Sequence, residues 1–467
     1  MLFNYKKKRI FTSLCLCIIS LAIYCQEYTL EVLQNSMIDN NPDLLKLQED
    51  YRQSLLDVKD AQAGFGPSID LQVTGTYMVN PPIDAVYINA DDIISSINWP
   101  SGITPSSTGQ YIKVYDGMEN TLYNFSLSLE QPLFTWGKLT NALKLYKLIA
   151  DVKLTQYTSQ LDQLNTELET RVITLKYLDE ISSILEEEKQ YTSRLVETSE
   201  NAQRSGMLLK QDVTDAKIKA MEIDIAQQDL SEQLNDQLLE IRRMTGIKEL
   251  DVKAIAYEID ETFIENFMAK DRKSLEALAL SDNQSSIHMI KKLREINEIA
   301  VKIAKGYENW KPDVALQLDL GYGGSRLPLV EPNWLRKDDY SANITLGIKT
   351  TIWDGGKKLN DIARKKSAEK VADINEIDVE SNITKTINSL WNTIDVCSLK
   401  IEYQDLKIDS SDSKIKQQET VYQSGYGSET DVLSAKIEKC NEEIEKKQQE
   451  LQRYVACMTI KALAKEE

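Results

Sequence analysis

Proline is missing from most of this chain. All ten prolines fall between Pro42 and Pro132 or between Pro312 and Pro332. Proline breaks helices, so the proline-free stretches are open to long helical runs. Glycine is absent too from two windows of equal length, between Gly137 and Gly206 and between Gly356 and Gly425. Histidine occurs once, as His288, and no His/Cys/carboxylate cluster with metal-ligand spacing accompanies it. With no nucleophile or acid partner by spacing either, catalysis is not indicated and His288 reads as a surface or packing residue. Aromatics are 7% and the charged fraction is 27%, which suits solvated helices with narrow apolar seams better than one large core.

Cysteine gives no disulfide framework. Of six cysteines, three precede Gln26, leaving Cys397, Cys440 and Cys457, an odd count without regular spacing. Cys440 falls on an apolar stripe and reads as a buried thiol. Residues 1–25 themselves read as an export signal. Lys6, Lys7, Lys8 and Arg9 precede the apolar run Ile10–Ile23, of the length an h-region needs and too short to span a membrane. Cleavage is expected near Cys25–Gln26, with a lipid-modified Cys25 as the alternative, disfavoured by bulky Tyr24. Without that segment the charge is 51 − 73 = −22, the wrong sign for a nucleic-acid binder.

The chain repeats itself. SGMLLKQDVTDAK (205–217) and SGYGSETDVLSAK (424–436) share six of thirteen positions at an offset of 424 − 205 = 219. Asn124, Leu127, Gly137, Lys138 and Asn141 recur at the same offset as Asn343, Leu346, Gly356, Lys357 and Asn360. Upstream the offset is 245: Pro67, Leu71, Gln72 and Tyr77 recur as Pro312, Leu316, Gln317 and Tyr322. The difference, 245 − 219 = 26, is extra length in a loop of the first copy between Tyr77 and Asn124. The pattern predicts a tandem duplication, with a first repeat over 26–245, a mixed segment over 246–285 and a second repeat over 286–467.

Each repeat predicts a helix, a strand pair and a helical hairpin. The strands are expected at 69–79 and 122–133, around a long loop at 80–120, and at 313–323 and 341–353. In NFSLSLE and NITLGIK apolar and polar residues alternate, as in a transmembrane β-barrel strand. Phe65, Phe134, Trp136, Trp310 and Trp353 sit near strand ends, where an interfacial girdle would lie. Four strands cannot close a barrel and open edges are not tolerated in lipid, so membrane-spanning strands would require several chains; three chains supply twelve. The two glycine-free windows predict helices spanning roughly 100 Å at 1.5 Å per residue. Leu433, Ile437, Cys440, Ile444, Leu451, Val455 and Met458 form a heptad seam on a returning helix. The echoed phrase is then the hairpin tip, near Gly206 and Gly425, with left-handed glycine caps and Ser428 capping the second return helix. GYGGS (321–325) leads from strand into loop and reads as a turn, not a phosphate cradle.

The order and duplication of TLEVLQNSMIDNNPDLLKLQ (29–48), GFGPSIDL (64–71), EQPLFTWGK (130–138), KTTIWDGGKK (349–358) and the two tips resemble the TolC family of outer-membrane efflux and secretion channels. The resemblance implies a fold that is mainly α with membrane β: a trimeric twelve-stranded transmembrane β-barrel, four strands per chain, continuous with a long periplasmic α-helical barrel. It implies a homotrimer in outer-membrane lipid that docks with a periplasmic adaptor (membrane fusion) protein and an inner-membrane RND or ABC transporter, with no cofactor and no chemistry of its own. It further implies a gate at the tips. By position, Tyr422 and Asp212 match two members of the family's polar link, whose basic member is replaced by Gly427. Asp431 matches the first acidic-ring position, the second is Ser434, and Asp215 is the analogue in the first repeat. The competing reading is a periplasmic coiled-coil adaptor, which would also be exported, acidic and heptad-rich but needs only one hairpin.

Overall fold

The computed structural model describes residues 27–465 except 261, 309 and 335; the predicted signal segment, with Cys25, lies outside the described residues. The chain is mainly helical with few strands, as the sequence predicts. It divides into two compact units.

Over its described residues the helical unit comprises 27–55, 148–297 and 368–465. The expected N-terminal helix is two helices, α1 (Leu30–Asn40) and α2 (Pro42–Ala63). Pro42 cannot continue α1, and Asn41 restarts the chain by accepting the amides of Asp43 and Leu44 on its side chain (2.9 and 3.3 Å). The long windows form α4 (Lys138–Arg204) and α9 (Lys357–Gln423), 67 residues each, and the returning helices α5 (Lys210–Thr245) and α10 (Glu429–Ala464) have 36 each. Two apolar cores hold them. Leu33, Met37 and Leu44 pack with Leu168, Val172, Ile241 and Met244. Leu275 and Ile287 pack with Ile387, Trp391, Ile394, Cys457 and Ile460. Residues 246–285 contribute α6 (Thr262–Met268), α7 (Arg272–Ala279) and a two-residue strand β6 (Ile255–Ala256), paired parallel with β1 (Tyr28–Thr29). Among the described residues no helix is long and apolar enough to cross a membrane.

The strand unit comprises Leu56–Lys147 and Glu298–Ser367. Its sheet is antiparallel, in the order β2 (Ser68–Tyr77), β5 (Thr121–Phe134), β7 (Asp313–Gly324), β8 (Tyr340–Lys349). β8 ends at Lys349, short of the expected residue 353, because its partner β7 begins at Asp313 after Pro312 and offers nothing further to pair. The expected loop 80–120 contains structure of its own: a small hairpin of β3 (Val86–Asn89) and β4 (Tyr111–Tyr115), with α3 (Ala90–Ser96) between. Asp91 fastens it, its carboxylate accepting from the Ser107 hydroxyl (2.6 Å) and the amides of Thr108 (2.7 Å) and Gly109 (3.0 Å). The remaining helix, α8 (Ser285–Gly306), carries the chain from one unit into the other.

Candidate functional site

The register of the four-stranded sheet sorts its side chains into rows. Ile69 lies opposite Leu129, Leu129 opposite Leu318 and Leu318 opposite Ile344. Leu71, Leu127, Leu320 and Ala342 make the next such row. Between them run Asp70, Ser128, Asp319 and Asn343, then Gln72, Ser126, Gly321 and Ser341. Because strand side chains alternate faces, one face is apolar across all four strands and the other polar. The apolar face is open: Ile69, Leu71, Ile344 and Ile348 are each at least 64% exposed. β2 and β8 are each paired on one side only, so the sheet has two free edges.

Three of the five predicted girdle aromatics meet at one end of this sheet. Phe134, Trp136 and Trp310 form two edge-to-face contacts at 5.1 and 5.3 Å, and the Trp136 indole donates to the Pro312 carbonyl (2.8 Å). Trp136 is held at φ +52°, a left-handed conformation costly for a bulky residue; its stacking and indole bond hold it there. Phe65 precedes β2 and is exposed, and Trp353 stands apart, 81% exposed.

Both hairpin tips are Schellman turns. Gly206 (φ +76°) and Gly425 (φ +82°) take the left-handed position, and the amides of Met207 and Tyr426 return to the carbonyls of Ala202 and Val421 (2.9 and 3.1 Å). The rest of the echoed phrase is explained around them. Val213, Ala216, Val432 and Ala435 are buried. Lys217 pairs with Glu200, and its echo Lys436 with Glu419, both at 2.8 Å. Ser428 caps α10 by accepting the Thr430 amide (3.2 Å).

Of the candidate gate residues, Asp212, Asp215, Asp431 and Tyr422 are all exposed. Asp212 is partly engaged locally, accepting the Leu209 amide (2.8 Å), one half of a capping box. Among the described residues, no hydrogen bond or ion pair engages the side chains of Asp215, Asp431 or Tyr422. Gly427 has no room for the basic side chain that the resemblance would place there: a Cβ would lie 2.9 Å from the Tyr422 amide nitrogen and 3.1 Å from the Val421 carbonyl carbon.

Sequence reasoning missed the cation that is present. Arg194, on α4, binds Glu429 of α10 at 2.6 Å and feels the Tyr422 phenol. Beside it Leu195, Ala216, Leu433 and Ile437 pack the two hairpins together. Deeper in the same seam, Glu188 is fully buried, with one carboxylate oxygen accepting from Asn441 (3.1 Å) and the other unpartnered among the described residues. Burial pushes its pKa up to about 7, against the opposing pull of the Asn441 hydrogen bond. Cys397, Cys440 and Cys457 are all buried, and burial lifts the last two to about 12, so none is poised as a nucleophile. His288 faces Asp151 at 3.9 Å and is partly exposed. Among the described residues no His/Cys/Asp/Glu group could hold a metal ion.

Residues 33–247 match the family model described as outer membrane efflux protein. No curated protein sequence matches the chain significantly. Solved structures share its fold at low identity. The outer membrane protein VceC from Vibrio cholerae is 15% identical with a TM-score of 0.70, covering 93% of this chain and 96% of its own. The CmeC outer membrane channel of Campylobacter jejuni is 13% identical at a TM-score of 0.71, covering 93% and 85%. CusC, described as forming a transmembrane channel, is 11% identical at 0.70, covering 94% and 93%. These matches bear out the resemblance to TolC-like outer-membrane channels. The outer-membrane location expected from the sequence agrees with the description of that family model.

Proposed function

We propose, from the family matched by residues 33–247 and the channel fold of the whole chain, that this protein is one third of an outer-membrane exit duct. Three copies close a twelve-stranded barrel in the membrane, and their long helices form a tunnel through the periplasm. A periplasmic adaptor and an inner-membrane RND or ABC transporter feed it, and the transporter supplies the energy. The observation that carries this is the sheet: one face mainly apolar across all four strands, the other mainly polar, both edges free. Strands of 10 to 14 residues have the length a tilted transmembrane strand needs, and pairing β8 with β2 of a neighbour removes every edge.

Helical faces support the same assembly. Ile218, Met221 and Ile225 on α5, and Val396, Leu399, Tyr403 and Leu406 on α9, lie exposed at spacings of three and four. These are seams without partners in one copy, as expected where neighbouring chains continue a helical barrel. The equal lengths of α4 and α9, and of α5 and α10, fit a tandem duplication of one ancestral unit. Residues 246–285 act as a belt around the helices.

In this reading the tips form the periplasmic entrance. The exposed carboxylates of Asp212, Asp215 and Asp431, tripled by symmetry, make an acidic constriction that favours cations, while Arg194 and Glu429 stand in for the link whose basic member is replaced by Gly427. Planar-bilayer recording tests both levels. A cation-selective pore whose selectivity falls in Asp431→Asn is the expected result; anion preference would refute the acidic constriction, and no conductance at all would refute the duct. The adaptor reading is not favoured, because it leaves the amphipathic sheet unexplained.

A further inference from the structure

The second repeat carries a concentration of positive charge that the duct does not need. Residues 349–366 hold six cations, Lys349, Lys357, Lys358, Arg364, Lys365 and Lys366, against Asp354 and Asp361, a net +4 in a chain whose exported part carries −22. A charge run on a helix is ordinarily a solvated face. Three features set this one apart.

First, Lys357 and Lys358 open α9, whose first turn has no acidic residue, so they stand at the positive end of the helix dipole, where cations are disfavoured. Asp354 caps that end through the amides of Gly356 and Lys358 (3.0 Å each), yet five cations crowd the first ten residues of the helix, about three turns. Second, they share a side of the helix. Lys357 and Arg364, and Lys358 and Lys365, are seven positions apart, which puts all four within an arc of roughly 120° and about 12 Å of axial length. Among the described residues the one ion pair they make is Arg364–Asp361 at 3.6 Å. Third, Ile352 and Trp353, 85% and 81% exposed, stand immediately before them.

The first repeat shows what the same place looks like without this device. There Lys138, aligned with Lys357, is only 7% exposed, bound to Asp313 at 2.5 Å and stacked over the Tyr307 ring. Its cation is consumed inside the protein, whereas the aligned Lys357 is exposed, as are Arg364 and Lys366, with Lys358 and Lys365 half-buried.

We propose that Trp353 and the cations of residues 357–366 form a seat for anionic phospholipid headgroups in the periplasmic leaflet of the outer membrane. This rests on the barrel reading, which puts the strand ends opposite the long loops at the periplasmic side. Trp353 and Ile352 enter the interface, and the two rows of cations take phosphate oxygens just beyond it. The partner is a phospholipid surface and not a protein, because the exposed pair Ile352 and Trp353 leads along the chain into the cation rows of Lys357, Lys358, Arg364 and Lys365, the order that acyl chains and headgroups require.

The test uses the full-length assembled protein in vesicles of phosphatidylcholine alone or with about one third phosphatidylglycerol. Lipid retained per assembly is counted by native mass spectrometry, and the thermal midpoint of heat-induced dissociation is read alongside. The wild type should retain phosphatidylglycerol over phosphatidylcholine at least about fivefold and melt higher with it. K357Q/K358Q/R364Q/K365Q should insert normally and lose the preference, while K357R/K358R/K365R keeps it. Equal retention of both lipids by the wild type, or a preference that survives the quadruple change, overturns the seat while leaving the barrel standing. Failure to insert into either vesicle overturns the barrel, and the seat with it.

Discussion

Lys436 Nζ lies 2.8 Å from Glu419 Oε1, and the same contact recurs in the first repeat between Lys217 and Glu200 at the same distance. The lysine that ends each echoed phrase therefore closes a hairpin stem. With the glycine turn and the buried Val/Ala pair, it accounts for why the phrase is written twice, and leaves Asp212 and Asp431 as the echoed acidic residues, both exposed.

The stem ion pairs are partly exposed, and such pairs contribute little. Lys217→Met with Lys436→Met should cost about 1 kcal/mol or less in a thermal melt. Ala435→Leu should cost more, about 1–3 kcal/mol, because Ala435 is 1% exposed in a packed seam. The reverse ranking would mean that charge, not packing, holds the tips.

Gly427→Arg restores the basic residue that the family resemblance would place at the link, yet its Cβ would collide with backbone. The expected outcome is a less stable second hairpin, with hydrogen exchange accelerated over residues 418–434 and unchanged over 199–215. Equal protection in both hairpins would show that the turn can accommodate a side chain.

Glu188 makes the stability depend on pH with a sign that follows from its burial. Its folded pKa, raised to about 7 from 4.5, means the folded state holds a proton that the unfolded state releases. Stability from this group is full below about pH 4.5, falls as pH rises from there to about 7, and is flat above. Glu188→Gln should remove that slope, worth about 2 kcal/mol between pH 5 and pH 8, as read from unfolding at the two values. A slope that persists in the variant would assign the dependence elsewhere.

The two faces of the sheet should respond differently to charge. Ile344→Lys puts an ammonium in the middle of the open apolar face, which costs about 2–4 kcal/mol if that face meets lipid. Thr345→Lys puts it on the polar face at little cost. The fraction of heat-modifiable oligomer in the outer membrane should drop for the first and hold for the second.

Much of the fold was legible in the sequence because it rests on period and punctuation. Glycine and proline bracket α4 and α9, and alternation marks the four long strands. The small hairpin at Val86–Asn89 and Tyr111–Tyr115 was hidden in turn-rich sequence and depends on Asp91 reaching 16 to 18 residues ahead. The end of β8 was set by where its partner starts, which alternation alone does not reveal. At the tips, the places of Asp212 and Asp431 followed from the repeat, and that of Tyr422 from the family resemblance. Arg194–Glu429 and Glu188–Asn441 did not, since residues 235 and 253 apart meet only once the register between hairpins is set.

The central claim is that the open edges of β2 and β8 are closed by other copies of the same chain. Native mass spectrometry of the purified full-length protein measures this directly. The account predicts a particle of three chains that needs detergent or lipid to stay in solution; a single chain, dispersed in buffer alone, would contradict it.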